Sequence, residues 1–345
     1  MCCTMNIKEG LSYDDVLLVP QLSPVSTRSN VSLETNFVGG VSLDIPIVSA
    51  AMDTVTEHEL ATELSRIGGI GVIHRFLSPS EQAIEVEKVK EEGEQVAAAV
   101  GINEDYENRV NRLVESNVDA LVVDVAHGHL TKNIEVVSEL TSCYDVPVVA
   151  GNVATADAAH DLTNIAGADA IKVGIGPGAY CTTRTVTGVG VPQITAIDDV
   201  VSVVPDDIPV IADGGIKTSG DAAKALMAGA DSVMLGTFFV GTDEAPSIHL
   251  EEKGIKVGRG MSSHEANEER TDENNGVDNY DVAEGESGGV EYVGKLTPHV
   301  KEFAQGIRSS ISYCGGHTIA EARENAEFVK VTGNTKSRNY AHYDE

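Results

Sequence analysis

Positive charge is scarce in this sequence. The chain has 24 Lys and Arg against 54 Asp and Glu, which gives a formal net charge of −30. Nucleic acid and anionic membrane surfaces would repel such a chain, so neither is expected as a partner. Two explanations fit the acidity: an ordinary acidic protein, or adaptation to a salt-rich cytoplasm, where screening weakens self-repulsion and carboxylates keep the surface hydrated. We favour the second, a halophilic origin.

Cysteine is also scarce, and its arrangement excludes two classes of small protein. The five cysteines are odd in number and form no C-x-x-C pair; they are Cys2, Cys3, Cys143, Cys181 and Cys314. A disulfide framework and a zinc ribbon are therefore not expected, and a reducing compartment is.

Long apolar segments are missing as well. No run reaches the roughly 18 apolar residues of a membrane span. The N-terminal segment MCCTMNIKEG has neither the basic start nor the apolar stretch of a signal peptide. The sequence therefore predicts no membrane span and a cytoplasmic location.

What the sequence does have is a series of short apolar runs rich in Val, Ile and Ala. Such runs, with little alternation, are typical of strands buried on both faces of a parallel sheet. Eight of them occur, at 45–53, 69–75, 96–102, 120–128, 146–153, 170–176, 208–215 and 232–237. Helical patterns lie between most of them, including 80–93, 103–117 and 219–230. The first of these helices is predicted to begin at Ser80 with capping chemistry of the Ser-x-x-Gln kind and to end at Gly93.

Eight strands alternating with helices predict an α/β fold, a (β/α)8 barrel. An open doubly wound sheet is the alternative, but no G-x-G-x-x-G follows an early strand. No linker divides the chain, so residues 1–345 are expected to form one domain. The segment 264–286 has nine acids and one Arg, which predicts a surface insertion, either disordered or a mobile flap.

In such barrels the active site lies at the carboxyl ends of the strands. Each polar residue there can simply cap a helix, but a recurring set is harder to explain by capping alone. The residues predicted at these ends are Ser49, Asp53, His74, Asp124, His127, Asn152, Gly174, Asp213 and Gly236.

Strands seven and eight end in ADGGI and MLGT, which predicts a phosphate site. Backbone N–H groups of Gly214, Gly215, Gly236 and Thr237 can hold a phosphate dianion there, and Asp213 can accept hydrogen bonds from ribose hydroxyls. Ordinary tight turns are the alternative for each glycine pair taken singly.

The segment GIGPGAYCTTR, residues 174–184, places Cys181 on a glycine-rich loop after strand six. A thiol at this mouth can attack an electrophilic carbon, with Arg184 favouring the thiolate and Thr183 relaying a proton. A free cysteine is otherwise often inert filler, which the Gly-Pro-Gly setting disfavours.

These segments together resemble the IMP dehydrogenase and GMP reductase family of purine-nucleotide oxidoreductases. The resemblance spans nearly the whole chain. It is carried by GLSYDDVLLVP (10–20), SAAMDTV (49–55), VDVAHGH (123–129), AGNVAT (150–155), the cysteine loop, GVGVPQ (188–193), ADGGI (212–216) and GMSS (260–263).

The resemblance implies a barrel enzyme, as a rule a tetramer, that forms a covalent adduct between Cys181 and C2 of the purine. It also implies which residues bind the ligands. Ser49, Asp213, Gly214, Gly215, Gly236 and Thr237 would hold the ribose phosphate, with Met261 and Ser262 beside the nucleotide. Asp124, Asn152, Gly174, Gly176 and Arg184 would form the pocket for NADPH or NAD. The carbonyls of Gly174, Gly176 and Cys181 would bind a monovalent cation, K⁺.

Two features bear on which family reaction to expect. Most dehydrogenases of the family carry a regulatory pair of cystathionine-β-synthase-like modules, but here His74 to Val100 leaves room for only a helix and a strand. The dehydrogenase also uses a long flap with adjacent Arg and Tyr, the Arg activating water. Within 264–286, Arg270 has no neighbouring Tyr and Tyr280 follows Asn279.

The reductase instead relies on a Thr two residues after the cysteine and a Glu before a Gly, positions held here by Thr183 and Glu284. GMSS and GIRSSISY (306–313) also look reductase-like, whereas IPIVSAAMDTV, VAHGH and AEFVKVTG (326–333) look more like the dehydrogenase. Gly258 departs from both, because an aromatic residue usually contacts the nucleotide at that position.

We therefore predict a GMP reductase, with IMP dehydrogenase as the alternative. Two readings from other classes stay open: a barrel oxidoreductase that uses FMN, since glycine turns also suit a flavin phosphate, and a catalytically silent nucleotide-binding relative.

Overall fold

A computed structural model describes residues 7–102, 106–269 and 283–333. Strands and helices alternate through most of this part of the chain. The strands are β1 Val16–Leu18, β2 Thr35–Val38, β3 Val41–Leu43, β4 Ile47–Ser49, β5 Ile70–Ile73, β6 Val96–Val100, β7 Ala120–Asp124, β8 Val148–Val153, β9 Ala170–Val173, β10 Val210–Asp213, β11 Ser232–Leu235, β12 Ile248–Leu250, β13 Ile255–Arg259, β14 Ser287–Glu291 and β15 Phe328–Lys330.

The helices follow the strands in the order that a (β/α)8 fold requires. They are α1 His58–Arg66, α2 Pro79–Glu91, α3 Tyr106–Glu115, α4 Thr131–Cys143, α5 Ala156–His160, α6 Thr183–Thr187, α7 Gln193–Val201, α8 Ser219–Met227, α9 Thr237–Val240, α10 His264–Glu269, α11 Leu296–Tyr313 and α12 Ile319–Glu324. A π-helical turn, Asp161–Ile165, extends α5.

Strands β4 to β11 form a closed parallel barrel in chain order, with β11 pairing back onto β4. All eight predicted strands are members of it, so the barrel is confirmed and the open sheet is excluded. The strand residues are buried almost without exception, because helices cover the outer face while apolar side chains fill the interior.

The hairpin β2–β3 closes the amino-terminal end of the barrel. Phe37 and Val38 are fully buried and pack with the inward-facing residues of the barrel strands. Thr35 donates a hydrogen bond to the carbonyl of Asp231, one residue before β11. The opposite, carboxyl-terminal mouth is therefore the end left for a ligand.

The start of α2 differs from the prediction. Ser78, not Ser80, caps this helix: its hydroxyl accepts a hydrogen bond from the N–H of Glu81, whose carboxylate bonds back to the N–H of Ser78. Pro79 occupies the first helical position, where its missing N–H costs nothing. The predicted end is confirmed, since Gly93 follows the helix with φ of 79°.

A small antiparallel sheet, β12–β13–β14, follows the barrel. We call it the flap-base sheet, because the acidic segment 264–286 connects β13 to β14. Helix α10 forms the start of that segment, and residues 270–282 lie outside the described part of the chain, so the predicted flap is not tested there. Among the described residues, no helix is both long and apolar enough to cross a membrane.

Candidate active site

Two adjoining cavities occupy the carboxyl-terminal mouth of the barrel. Cys181, Asp213, Gly214 and Met261 line both cavities, so the predicted nucleophile stands at their junction. The first cavity extends towards the ends of β10 and β11, and the second towards the ends of β7, β8 and β9.

The first cavity contains the predicted phosphate site. Gly214, Gly215, Gly236 and Thr237 all line it. Gly214 and Gly215 have φ of 86° and 77°, a left-handed backbone that glycine adopts without strain. Gly236 precedes the first turn of α9, and N–H groups at the start of a helix can bind an anion.

Three other predicted nucleotide ligands lie at different places. Met261 lines both cavities, whereas Ser262 lines only the second. Ser49 lines neither: its side chain is fully buried and its Oγ accepts a hydrogen bond of 2.8 Å from the Thr56 hydroxyl. The structure thus brings Met261 to the predicted nucleotide site but not the Ser49 hydroxyl.

Cys181, Thr183 and Glu284 form a continuous chain of hydrogen bonds. The Cys181 thiol donates to Thr183 Oγ1 at 3.2 Å, and that hydroxyl donates to Glu284 Oε2 at 2.6 Å. The chain runs from thiol to carboxylate, so it provides a path along which a proton can leave sulfur. Cys181 itself is exposed to the cavity.

Backbone pairing brings the distant glutamate to the cysteine loop. Thr182 N–H donates to the Glu284 carbonyl at 2.8 Å, Glu286 N–H donates to the Tyr180 carbonyl at 2.9 Å, and Cys181 faces Gly285 across this short antiparallel contact. The cysteine loop therefore pairs in antiparallel fashion with the segment that leads into β14.

The second cavity has a buried charge network that the sequence analysis did not predict. Lys172, which is 1% exposed, donates from Nζ to Asp124 Oδ1 at 2.7 Å and to Asp213 Oδ2 at 3.1 Å. It also bonds to the Asn152 side-chain oxygen, and the Asn152 amide donates to Asp213 at 2.7 Å. One signal was available: Lys172 is a lone cation inside the apolar run AIKVGIG.

The network fixes the ionisation of its members. Burial alone would raise the pKa of Asp124, but the charge and hydrogen bond of Lys172, with Arg75 nearby, hold that pKa below its ordinary value. Burial alone would lower the pKa of Lys172, but Asp124 and Asp213 raise it above its ordinary value. A carboxylate and an ammonium group therefore coexist at neutral pH beneath the cavity.

Arg184 anchors the cysteine loop through backbone carbonyls. Its guanidinium donates to the carbonyls of Ile175 at 3.2 Å and Val191 at 2.7 Å, and it lines neither cavity. Its predicted contact with the cofactor stays a prediction.

Of the other predicted mouth residues, Asp53 forms a partly buried ion pair with Arg259 of β13, at 2.6 Å. This pair, also not predicted, connects the end of β4 to the flap-base sheet. His74 is buried and accepts from the Phe76 N–H through Nδ1. His127 is exposed and lines neither cavity, so neither histidine is brought to Cys181.

The second cavity contains four of the residues predicted to bind the cofactor. Asp124, Asn152, Gly174 and Gly176 line it together with Cys181, Thr183 and Glu284, so a bound ring would lie beside the thiol. For the cation, the Gly174 carbonyl already accepts a hydrogen bond of 2.8 Å from the Asn152 amide, which leaves it one lone pair. A K⁺ site on Gly174, Gly176 and Cys181 stays a prediction.

Comparison with known proteins agrees with this geometry. Residues 10–342 match the model of the IMP dehydrogenase / GMP reductase domain. The chain belongs to the IMP dehydrogenase / GMP reductase family. Members of this family are purine-nucleotide oxidoreductases, and the chain is accordingly an NAD(P)-dependent oxidoreductase.

Relatives within the family have both activities in their names. Inosine-5'-monophosphate dehydrogenase of Borreliella burgdorferi is 40% identical, covering 97% of this chain and 97% of its own. The dehydrogenase of Nitrosopumilus maritimus is 35% identical, with 95% and 97% covered. GMP reductase of Leishmania donovani is 34% identical, with 95% covered in each chain.

The alignments also bear on the missing regulatory modules. The alignment with the Nitrosopumilus enzyme runs over 463 positions, more than the 345 residues of this chain. That family member therefore has an insertion that this one lacks. Consistently, helix α2 alone lies between β5 and β6 here, where the sequence analysis found no room for a module.

Proposed function

We propose that this protein is a GMP reductase, which converts GMP, NADPH and a proton into IMP, ammonia and NADP⁺ through an adduct between Cys181 and C2 of the purine. The observation that carries the proposal is the hydrogen-bond chain from the Cys181 thiol through Thr183 to Glu284.

The chain of hydrogen bonds supplies what the first half of this reaction requires. The thiol proton passes through Thr183 to Glu284, and sulfur bonds to C2. Glu284 then returns the proton through Thr183 to the departing nitrogen, the C2–N bond breaks, and ammonia leaves. Glu284 thus serves first as general base and then as general acid.

The two cavities supply the binding sites. Gly214, Gly215, Gly236 and Thr237 would hold the phosphate through backbone N–H groups, and Asp213 would accept from ribose hydroxyls. The second cavity would hold a nicotinamide, which supplies the hydride that C2 accepts as the C2–sulfur bond breaks. Asn152 would orient that ring by hydrogen bonding, with its own amide fixed by Asp213 and Lys172.

The flap sequence favours the reductase direction. Hydrolysis of a xanthosine adduct needs a group that deprotonates water, and residues 264–286 contain no adjacent Arg and Tyr. Ammonia release needs a proton donor and a carboxylate, which Thr183 and Glu284 provide.

IMP dehydrogenase is the second candidate, because the Borreliella and Nitrosopumilus relatives have that name. A parallel assay distinguishes the two: purified protein in molar KCl receives GMP with NADPH and, separately, IMP with NAD⁺. We expect IMP and ammonia from the first mixture and little xanthosine monophosphate from the second. Efficient oxidation of IMP would overturn the proposal and require another group, for example Arg270, to activate water.

The same preparation tests the remaining hypotheses, an FMN-dependent enzyme and a catalytically silent relative. A colourless protein that turns over without added flavin excludes FMN chemistry, and turnover of either nucleotide excludes a silent relative. Omitting K⁺ tests the cation, replacing NADPH by NADH tests cofactor preference, and sedimentation tests the proposed homotetramer. We also propose a cytoplasmic location, as expected for an enzyme with free thiols that acts on nucleotides.

A further inference from the structure

The ring of Tyr180, the residue before the nucleophile, lies on two glycines of the flap-base sheet. Gly258 and Gly288 face each other as a cross-strand pair. A Cβ added at Gly258 would lie 2.6 Å from the Tyr180 hydroxyl oxygen and 2.9 Å from Cε2, and one added at Gly288 would lie 3.2 Å from Cε1. The Tyr180 hydroxyl also donates to the Gly288 carbonyl at 3.3 Å. We call Gly258 and Gly288 the glycine pair.

The glycine pair is needed for space rather than for backbone conformation. Neither residue has a positive φ, so their dihedral angles are open to other residues. At Gly258 any side chain would overlap the tyrosine ring and the Val240 methyl, whose Cγ2 would lie 2.8 Å from the added Cβ. Two facing glycines offer no side chains for packing, and an aromatic ring that covers them supplies apolar contact in their place.

The ring and the catalytic chain belong to one contact between loop and sheet. The Tyr180 carbonyl accepts from Glu286, and the Thr182 N–H donates to Glu284. These two bonds flank Cys181, and the same pairing brings Glu284 to Thr183. Whatever fixes Tyr180 therefore also fixes the registration of thiol, hydroxyl and carboxylate.

Two backbone hydrogen bonds at an exposed edge are a weak restraint on the contact between this glycine-rich loop and the segment that leads into β14. Gly174 and Gly176 have positive φ, and glycine-rich backbone loses much conformational entropy when it is ordered. Tyr180 is half-buried and packs against the main core, and burial raises the pKa of its phenol. Its ring adds an apolar contact beside the two hydrogen bonds.

We propose that Tyr180 is a positioning residue: its ring, seated on the glycine pair, holds the Cys181 loop against the flap-base sheet and so sets the hydrogen-bond chain from Cys181 to Glu284. The inference rests on the proposed role of Cys181. It assigns Tyr180 no contact with reacting atoms.

Kinetics of Tyr180→Ala and Tyr180→Phe provide the first test. We expect Tyr180→Ala to lower kcat by about 10- to 100-fold, the scale of a displaced catalytic group, with KM for the nucleotide changing less than about threefold. Tyr180→Phe keeps the ring and should retain most of the activity. Tyr313→Ala, at a tyrosine that is 59% exposed, is the matched control and should behave as wild type. A raised KM with unchanged kcat in Tyr180→Ala would overturn the proposal, because it indicates a direct ligand contact.

Alkylation and a double variant provide the second test, which does not depend on turnover. Iodoacetamide labelling of Cys181 is followed by peptide mass, with exposed Cys143 as internal reference. We expect Tyr180→Ala and Gly258→Ala each to change the rate of Cys181 labelling at least about threefold. The double variant should label at the same rate as Tyr180→Ala alone, because the effects of coupled sites are not additive. The proposal would be overturned if the two fold-changes in labelling rate multiply in the double variant, or if the labelling rate is unchanged in both single variants.

The two tests separate this inference from the proposed function. If the protein oxidises IMP, kcat is read on that reaction and the prediction for Tyr180 is unchanged. If Cys181→Ala retains activity, the assigned nucleophile is wrong, while the labelling rates still decide whether Tyr180 positions the loop.

Discussion

At the scale of single residues, the exposed thiol of Cys181 is the centre of the site. Cys181 lines the first cavity together with glycines, Asp213 and Thr237, and its thiol donates a hydrogen bond to Thr183. We expect Cys181→Ala to abolish turnover and leave nucleotide affinity nearly unchanged, because the proposed phosphate and ribose contacts lie elsewhere. Steady-state assay and equilibrium binding of GMP measure the two effects. Cys143→Ala, which removes the other exposed described cysteine, should be wild-type, and a turnover rate near wild type in Cys181→Ala would contradict the assignment.

Glu284 is the residue that the proposed proton transfer depends on. Glu284→Gln keeps a group that can hydrogen bond to Thr183 but cannot take up the thiol proton. We expect the rate of GMP reduction to fall by about 10²-fold or more, the usual scale for loss of a general acid–base group. Glu286→Gln is the matched control, since it lies two residues away and is exposed. Equal activity of the two variants would show that the carboxylate at 284 is dispensable.

Lys172 should matter for stability as well as for the site. Lys172→Met would remove the ammonium group that Asp124 and Asp213 share, and breaking a buried ion pair in this way costs about 3–5 kcal/mol. Urea unfolding of this variant and of the exposed control Lys132→Met measures the difference at neutral pH. A loss below about 1 kcal/mol would mean that water or another cation replaces the ammonium.

The pH dependence of the wild type follows from the same network. Asp124 has a lowered pKa when folded, so its contribution is present above the ordinary carboxyl pKa and is lost as pH falls through the folded value. Lys172 has a raised pKa, so its contribution is present below its ordinary pKa and is lost as pH rises through the folded value. The free-energy difference between wild type and Lys172→Met should therefore narrow at both acid and alkaline extremes. A difference that is constant with pH would contradict this account.

At the scale of elements, the local pattern at the start of α2 correctly predicts a capped helix but places the cap two residues too late. Three residues of the segment, Ser78, Pro79 and Ser80, all suit a helix start, but the reciprocal bonds form only between Ser78 and Glu81. We expect Ser78→Ala to lower the free energy of unfolding by about 1 kcal/mol, the usual cost of losing a cap. Ser80→Ala, at an exposed position inside the helix, should be neutral or slightly stabilising. Thermal melts of the two variants check this, and the reverse ranking would restore Ser80 as the cap.

At the scale of the whole molecule, the net charge of −30 predicts a strong dependence on salt. The Debye length is about 30 Å at 0.01 M salt and about 3 Å at 1 M, so repulsion among surface carboxylates acts across the molecule only in dilute buffer. We expect the melting midpoint to rise through a KCl series from 0.01 M to about 2 M. Sucrose at matched osmolality is the control for general exclusion effects. A midpoint that is flat or falling between about 0.1 and 2 M would count against adaptation to a salt-rich cytoplasm.

Local sequence patterns were enough to predict the barrel and the location of its mouth. Eight buried runs and their intervening helices are local patterns, and each predicted strand lies within the run that predicted it. Gly214 and Gly215 were recognisable for a related reason, since a positive φ is a property of the residue's own backbone. Cys181 was found from its immediate neighbours. Features that depend on a few consecutive residues can be read along the chain.

Which distant groups meet depends on the folded barrel and not on any local pattern. Glu284 contacts Thr183 across 101 residues, through a backbone pairing that no local pattern announces. Lys172 joins Asp124 and Asp213 because barrel closure brings strand ends together, whereas Ser49, on the same rim, bonds to Thr56 inside the wall. The space over Gly258, read from the sequence as a missing aromatic contact, is filled by Tyr180. Such contacts depend on side-chain direction and on packing between segments far apart in the chain, and the barrel must close before either is defined.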